Sequence, residues 1–180
     1  MKFELIDEFK IDEKTKTQIS ELLKICFPEE DYEGRTYFKQ IPQYRMLVKE
    51  KDELIGQLGL DYRVMTIDKK PIRVLGIIDL LILPNKQNLG IGTKMLNEIN
   101  KIAEENNNNI DFIFLVADKH KFYENSGFKL TKQKVKWFAT ENHINYGIQE
   151  GEFDKCLMIK QIGKTEWVEN SELDLLGYWY

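Results

Sequence analysis

A short loop with two glycines is the part of this sequence whose residue types and spacing most directly indicate chemistry. Gln87, Gly90 and Gly92 form the pattern Gln-x-x-Gly-x-Gly between an apolar run that ends at Pro84 and an amphipathic segment. Glycines allow the backbone to approach a ligand closely, and a helix N-terminus offers unpaired N–H groups and the positive end of the helix dipole. The sequence therefore predicts a binding site for a phosphate or pyrophosphate at this loop.

Two common phosphate-binding motifs do not fit this loop. A P-loop requires a glycine, four intervening residues and then Gly-Lys-Ser/Thr, whereas the order here is Gly92-Thr93-Lys94 without that spacing. A dinucleotide-binding fingerprint would require a third glycine at the position of Met95. Both interpretations are therefore excluded.

A second motif, Phe-Tyr-x-x-x-Gly-Phe, lies one strand further along the chain, from Phe122 to Phe128. The two motifs together resemble the GNAT superfamily of N-acetyltransferases. The resemblance spans Leu47 to Leu130, and the order of predicted elements extends it to the whole chain. It implies an α/β (α+β) fold with a mixed, mostly antiparallel sheet, a parallel strand pair splayed apart at the coenzyme site, and helices on both faces.

The resemblance also implies that acetyl-CoA is the co-substrate. Backbone amides of the loop would bind the coenzyme A pyrophosphate, the preceding strand would pair with the pantetheine arm, and the end of the next strand would line its other side. These positions are Gln87, Asn88, Leu89, Gly90, Ile91 and Gly92 in the loop, Leu80, Leu81 and Ile82 in the preceding strand, and Phe114 and Leu115 in the next strand.

Tyr123 occupies the position where the family often has a phenol that protonates the departing thiolate. Attack of an amine on a thioester expels a basic thiolate, and a phenol within hydrogen-bond reach can donate a proton to it. The alternative interpretation of Tyr123 is a half-buried core aromatic residue whose hydroxyl is paired.

Asp79 is the sole charged residue in the apolar run 74–83, so burial should raise its pKa, a property useful in a general base. It could accept the proton of the amine directly or through a water, or bind a cationic acceptor. The alternative is a structural carboxylate satisfied by Arg73 or by backbone N–H groups. Some family members have a Glu one residue earlier, where this chain has Ile78.

The acceptor is expected to bind near an acidic segment that follows the first helix. An acidic segment, the core motif and an aromatic chain end also occur in the aminoglycoside 2′-N-acetyltransferase branch, to which the layout has a weaker resemblance. In that branch the terminal carboxylate and nearby acids help to bind a polyamine sugar. The alternative is that the acids are only solvated surface charges. The candidate acceptor-binding residues are Ile78, Asp79, Glu30, Asp31 and Tyr180.

Hydrophobic periodicity and turn residues predict the elements that position these groups. Helices are expected over 15–26, where a capping box begins at Thr15, over 90–105 and over 120–125; strands are expected over 45–48, 53–67, 72–83, 110–117, 130–138 and 156–162. The last two strands are expected to pair with each other across a long polar loop, and the apolar tail from Leu173 is expected to dock. The chain is expected to be one domain, 1–180.

Composition limits the class of protein. The 180 residues include 42% hydrophobic and 31% charged residues, and the net charge of −4 argues against a nucleic-acid partner. Two cysteines suggest reduced thiols, and no apolar run is long enough to span a bilayer, so we expect a cytoplasmic protein without membrane contact. The two histidines are too scattered to form a zinc site with the cysteines, so no metal is expected.

These observations predict an acetyl-CoA-dependent N-acetyltransferase that passes acetyl directly to a small amine in a ternary complex, since no nucleophile is placed to form an acyl-enzyme. The alternative is a non-catalytic acyl-CoA-binding module of the same fold. A third hypothesis is an enzyme that transfers a longer acyl chain. Aminoglycosides, polyamines, amino acids and peptide N-termini all remain open as acceptors. The apolar tail could pack on a second subunit of a homodimer as easily as on its own chain.

Overall fold

Strands make up most of the regular elements in the computed structural model, which describes residues 1–30 and 32–180. The strands are β1 (Lys2–Asp7), β2 (Tyr44–Glu50), β3 (Glu53–Ile67), β4 (Lys70–Ile82), β5 (Phe112–Val116), β6 (Lys129–Leu130), β7 (Gln133–Glu141), β8 (Ile144–Phe153), β9 (Leu157–Gln161) and β10 (Glu172–Tyr178). The α-helices are α1 (Glu13–Cys26), α2 (Ile91–Glu105) and α3 (His120–Glu124). Two compact units contain these elements: Met1–Asp61 with Ile77–Glu98, and Tyr62–Gly76 with Ile99–Tyr180. Strands β3 and β4 and helix α2 each contribute residues to both units.

The first unit is built on an antiparallel meander. Strand β2 pairs antiparallel with both β1 and β3, and the β2–β3 turn is made at Lys51, whose φ is 57°. Its hydrophobic core lies between helix α1 and the strands. The buried members of that core are Ile11, Ile19, Leu22, Leu23, Tyr32, Leu47, Leu54 and Leu81.

The second unit has the strand order β6-β9-β5-β4-β3-β10-β7-β8. Strands β4 and β5 are parallel where Val74–Gly76 pairs with Phe112–Phe114, and β10 is parallel to β7. The β6–β9, β5–β9, β3–β10 and β7–β8 pairs are antiparallel. The prediction of a mixed, mostly antiparallel sheet with a parallel pair is confirmed.

Helix α1 begins earlier than the sequence pattern predicted. Asp12 is the N-cap, and its Oδ1 accepts a hydrogen bond of 2.7 Å from the backbone N–H of Thr15. The predicted capping box starting at Thr15 is therefore wrong, because Thr15 already lies in the first turn. An aspartate caps a helix at least as well as a threonine, so the earlier residue fixes the start.

The predicted pairing of the last two strands is also wrong. Strand β7 pairs with β8, which occupies most of the segment predicted to be a polar loop, whereas β9 pairs with β5 and β6. Asn142 and His143 both have left-handed conformations, with φ of 48° and 60°. Such a two-residue turn matches the twist of a hairpin and returns the chain directly onto β7.

The apolar tail docks, as predicted. Strand β10 lies between β3 and β7, and Leu173 and Leu175 are fully buried in the core of the second unit. In the described ranges, no helix combines the length and apolar character that crossing a membrane would require.

Candidate active site

The glycine loop connects β4 to α2 through two residues in the left-handed region. After a short 3-10 turn at Pro84–Lys86, Asn88 has a φ of 61° and Gly90 a φ of 74°. Glycine and asparagine are the residues that adopt this conformation at least cost, so the local sequence favours this turn. Residues 87–90 are all exposed, whereas Ile91 is buried and anchors the start of α2.

The start of α2 has the charge pattern of a helix terminus that favours anions. Its first turn contains no acidic residue, and the first N–H groups of any helix have no intrahelical partner. The first helical hydrogen bond runs from Lys94 N to Gly90 O, at 3.0 Å. The predicted phosphate-binding residues 87–92 thus comprise an exposed turn, 87–90, and the first two residues of α2, at the positive end of its helix dipole.

The glutamine of the motif fixes the end of the preceding strand. Gln87 Nε2 donates to Ile82 O at 3.1 Å, and Leu83 N donates to Ile55 O at 3.0 Å. Leu81 and Ile82 are buried, and Leu80 is partly buried. The side chains of residues 80–82 are therefore largely packed inside the protein. A ligand that pairs with this segment would use its backbone N–H and C=O groups.

Asp79 has a left-handed conformation within β4, and we call this interruption of the extended strand the bulge. Its φ is 48°, a left-handed conformation that costs a non-glycine residue in a strand about 1–3 kcal/mol. Its carbonyl accepts a hydrogen bond of 2.8 Å from Gln57 Nε2. Burial raises the pKa of the Asp79 carboxyl, and the positive charges of Arg45 and Lys39 oppose that rise.

The interpretation of Asp79 as the partner of Arg73 is wrong. Arg73 binds Asp111 instead, with its Nη2 and Nε donating at 2.9 and 3.0 Å to the two carboxylate oxygens. Because that guanidinium is fully engaged with another carboxylate, the charges that act on Asp79 come from other segments.

Two residues that the sequence analysis did not single out share the electrostatic surroundings of Asp79. Burial raises the pKa of Tyr32, and the negative charges of Asp79 and Glu30 raise it further. Burial lowers the pKa of Lys39, an effect that Asp79 and Glu30 oppose. No spacing rule connects Tyr32 or Lys39 to Asp79, since their proximity depends on the packing of the segment after α1 near the bulge.

The predicted acceptor-binding residues have different environments. Glu30 is exposed. Ile78 is partly buried beside Gly59, and its Cβ lies 3.5 Å from the position that a Cβ on residue 59 would take. Asp31 lies outside the described residues. In the second unit, the Tyr180 ring packs on Phe114 with centroids 5.5 Å apart, and its hydroxyl accepts a 3.1 Å hydrogen bond from Arg63 Nε.

Tyr123 lies on α3 in the second unit and is half-buried between aromatic rings. Its ring centroid is 4.9 Å from that of Phe122 and 5.9 Å from that of Phe128. Burial raises its pKa to about 12. Within residues 1–30 and 32–180 its hydroxyl has no hydrogen-bond partner, so the paired hydroxyl of the alternative interpretation is not found.

The other predicted cofactor residues of the second unit belong to its core. Phe114 and Leu115 in β5 are 0% and 1% exposed, so their side chains are not available to a ligand from solvent. Among the residues that the structure describes, no three or more His, Cys, Asp or Glu side chains are grouped as metal ligands would be.

Comparison with known proteins supports the resemblance. A family model described as an acetyltransferase (GNAT) domain matches residues 10–131, whereas the curated protein sequences give no match. The aminoglycoside 6′-N-acetyltransferase from Enterococcus faecium is similar in structure, with a TM-score of 0.60 and 17% identity over 93% of this chain and 100% of that chain. A GNAT family acetyltransferase from Brucella melitensis in complex with acetyl-CoA has a TM-score of 0.56 and 14% identity, with 94% of each chain covered.

Other similar structures are larger than this chain. A GCN5-related N-acetyltransferase from Anabaena variabilis has a TM-score of 0.58 and 15% identity over 72% of this chain, but only 32% of that chain is covered. The match to a similar chain from Enterococcus faecalis covers only 33% of that chain. Our chain thus spans about a third of their length. At these identities the structures establish the fold, and the family model, which matches more than half of the chain, establishes the family. The chain belongs to the GNAT family of N-acetyltransferases.

Proposed function

We propose that the chain transfers the acetyl group of acetyl-CoA directly to a small amine within a ternary complex. The observation that carries this proposal is the exposed turn at residues 87–90, which leads into a helix start without carboxylates. Similar structures from Brucella melitensis and Escherichia coli contain acetyl-CoA and CoA, respectively. Both findings support a site for the coenzyme pyrophosphate at this turn.

The residues present fit such a co-substrate. The amides of residues 87–92 would bind the pyrophosphate, and the backbone of Leu80–Ile82 would bind the pantetheine arm. Phe114 and Leu115 would contribute through their backbone, since their side chains are buried. Bound acetyl-CoA supplies the thioester whose carbonyl carbon the amine attacks.

We assign Asp79 the role of general base. An amine reaches the enzyme mainly as an ammonium ion and must lose a proton before it attacks. A carboxyl whose pKa is raised by burial accepts that proton more readily than an ordinary carboxylate, while the charges of Arg45 and Lys39 favour its ionised form. Glu30, which is exposed, and Ile78, which is partly buried, would border the amine.

We assign Tyr123 the role of proton donor to the departing thiolate. Its pKa of about 12 keeps the phenol protonated at neutral pH, and its hydroxyl is not occupied by another described residue. This combination leaves the proton available for transfer.

Calorimetric titration with acetyl-CoA tests the loop. Gly92→Glu adds a carboxylate beside the expected pyrophosphate and should abolish binding. Asn97→Glu adds the same charge at an exposed position further along α2 and should leave binding intact. Absence of binding by the unmodified protein, or equal loss in both variants, would contradict a pyrophosphate site at this loop.

Thiol release in the presence of amines then separates an enzyme from a non-catalytic acyl-CoA-binding module. Kanamycin and spermidine are suitable probes, because similar structures include aminoglycoside 6′-N-acetyltransferases and because both are polycationic small amines. Acetyl-CoA binding without thiol release across a broad amine panel would favour the binding module.

A further inference from the structure

A buried hydrogen-bonded chain leads from the N-terminal segment to the bulge at Asp79. Gln57 is completely buried, with Nε2 2.8 Å from Asp79 O and Oε1 2.6 Å from Arg45 Nη1. Because a guanidinium can only donate hydrogen bonds, it determines which end of the Gln57 amide faces Arg45. The NH2 end must then face the carbonyl of Asp79.

Arg45 is itself fixed by its other contacts. Its side chain is 1% exposed; Nε and Nη2 donate to the Glu8 carboxylate at 2.6 and 3.2 Å, and Nη2 also donates to Thr36 O at 2.6 Å. A planar guanidinium held by a carboxylate and a backbone carbonyl has one orientation. The orientation of Gln57 therefore follows from residues in three other segments of the first unit.

The bulge requires such support. A left-handed aspartate within a strand persists only where its surroundings hold it, and the Gln57 amide is the side chain bound to the Asp79 carbonyl. The same peptide segment carries the Asp79 carboxyl and leads into Leu80–Ile82, the backbone assigned to the pantetheine arm. A small shift at a site of group transfer lowers its rate strongly.

We infer that Gln57, oriented by the Arg45–Glu8 pair, is a positioning residue that holds the Asp79 bulge and thereby sets the direction of the Asp79 carboxyl and of the Leu80–Ile82 backbone. Gln57 does not touch the reacting atoms and acts through Asp79. This inference rests on the proposed function for its effect on turnover, whereas its effect on the bulge is independent of that function.

Two variants distinguish the effects of the two hydrogen bonds that Gln57 makes. Gln57→Met removes both bonds at nearly the same side-chain length, whereas Gln57→Glu keeps an acceptor for Arg45 and loses the donor to Asp79 O. The matched control is Gln133→Met, because Gln133 in β7 is also buried, donating to Val168 O at 2.9 Å and accepting from Ser171 N at 3.0 Å. The control loses an equivalent buried amide in the second unit.

Three measurements decide the inference: hydrogen exchange of peptides covering 77–83, acetyl-CoA binding by calorimetry, and kcat and KM for kanamycin or spermidine by thiol release. Both Gln57 variants should exchange faster at 79–82 and lose kcat by about tenfold to a hundredfold, with a smaller loss of acetyl-CoA affinity than Gly92→Glu causes. Gln133→Met should change neither the exchange of this segment nor kcat.

Unchanged exchange in both Gln57 variants, or a fall in kcat no larger than in Gln133→Met, would overturn the inference. If the unmodified protein does not bind acetyl-CoA, the proposed function fails instead, and the exchange of 77–83 alone then decides whether Gln57 holds the bulge.

Discussion

Both units contain an arginine–carboxylate pair, but the two pairs differ in burial. In the first unit the side chains of Arg45 and Glu8 are 1% and 11% exposed. In the second unit Arg73 is 41% exposed while its partner Asp111 is 6% exposed. Each arginine binds its carboxylate through two nitrogen atoms and also donates to a backbone carbonyl. The local chemistry is therefore the same.

The difference in burial decides what each pair can do. If Asp111 is lost, water can reach Arg73, and if Arg73 is replaced, Asp111 keeps hydrogen bonds from the backbone N–H of residue 73 and from Thr165 Oγ1. Water cannot easily reach Arg45 or Glu8, so loss of either leaves a buried charge. The Arg45–Glu8 pair has no freedom to reorient, and its hydrogen bonds extend through Gln57 to Asp79. The Arg73–Asp111 pair fixes the point where the parallel pairing of β4 with β5 begins. We therefore expect the first pair to affect stability and turnover together, and the second to affect stability alone.

The largest expected effect is that of Arg45→Met. It should lower the free energy of unfolding by about 3–5 kcal/mol, because Glu8 is left buried without its partner. Chemical denaturation monitored by circular dichroism measures this loss. The double variant Glu8→Leu, Arg45→Met removes both charges and should regain part of it; a double variant no more stable than the single one would contradict this explanation.

Asp79→Asn should lower turnover without lowering stability at neutral pH. Loss of the base should lower kcat by about 10²–10⁴-fold in a thiol-release assay, while asparagine still tolerates the left-handed conformation. A carboxyl with a raised folded pKa contributes stability that is complete below the unfolded value of 3.8 and is lost as the pH rises through the folded pKa. Relative to the unmodified protein, the variant should therefore become more stable as the pH rises. A variant that is equally active, or less stable at neutral pH, would refute the assignment.

Tyr123→Phe tests the one position in the second unit that we assign to the chemistry. We expect kcat to fall about tenfold with acetyl-CoA affinity unchanged, a small effect for a proton donor because a thiolate departs readily even without full protonation. Tyr62→Phe serves as the control, since Tyr62 donates to Asn109 O at 2.7 Å in the same unit. Equal turnover of both variants and the unmodified protein would remove Tyr123 from the mechanism.

Arg73→Met should have the smallest effect, because Asp111 keeps hydrogen bonds of 2.8 Å from the backbone N–H of residue 73 and 3.0 Å from Thr165 Oγ1. Hydrogen bonds from Arg73 hold the pKa of Asp111 below its usual range, so the stability they contribute is present above the unfolded value of 3.8 and is lost as the pH falls through the folded pKa. The variant should therefore be less stable at pH 7 and differ less from the unmodified protein at pH 3, with kcat unchanged. A loss of kcat comparable to that of the Gln57 variants would remove the distinction between the two pairs.

Most of the fold that surrounds the site could be predicted from local patterns. Periodicity and the glycine loop predicted a helix over 90–105 and a strand over 72–83, and the structure has Ile91–Glu105 and Lys70–Ile82. The prediction failed for the partner of β7, because the hairpin turn at Asn142 and His143 contains no glycine to mark it. It failed for β9, because the pairing of β9 with β5 is a long-range choice.

The sequence by itself determined the strand–loop–helix unit and the family to which the chain belongs. Those features depend on spacing within one short segment, where helix and turn preferences act locally. Only the tertiary structure decided the environment of Asp79: that Arg73 is not its partner, that Gln57 binds its carbonyl, and that Arg45 and Lys39 supply the nearby positive charge. Burial and charge at a residue depend on which distant segments pack beside it, and no local pattern encodes that choice.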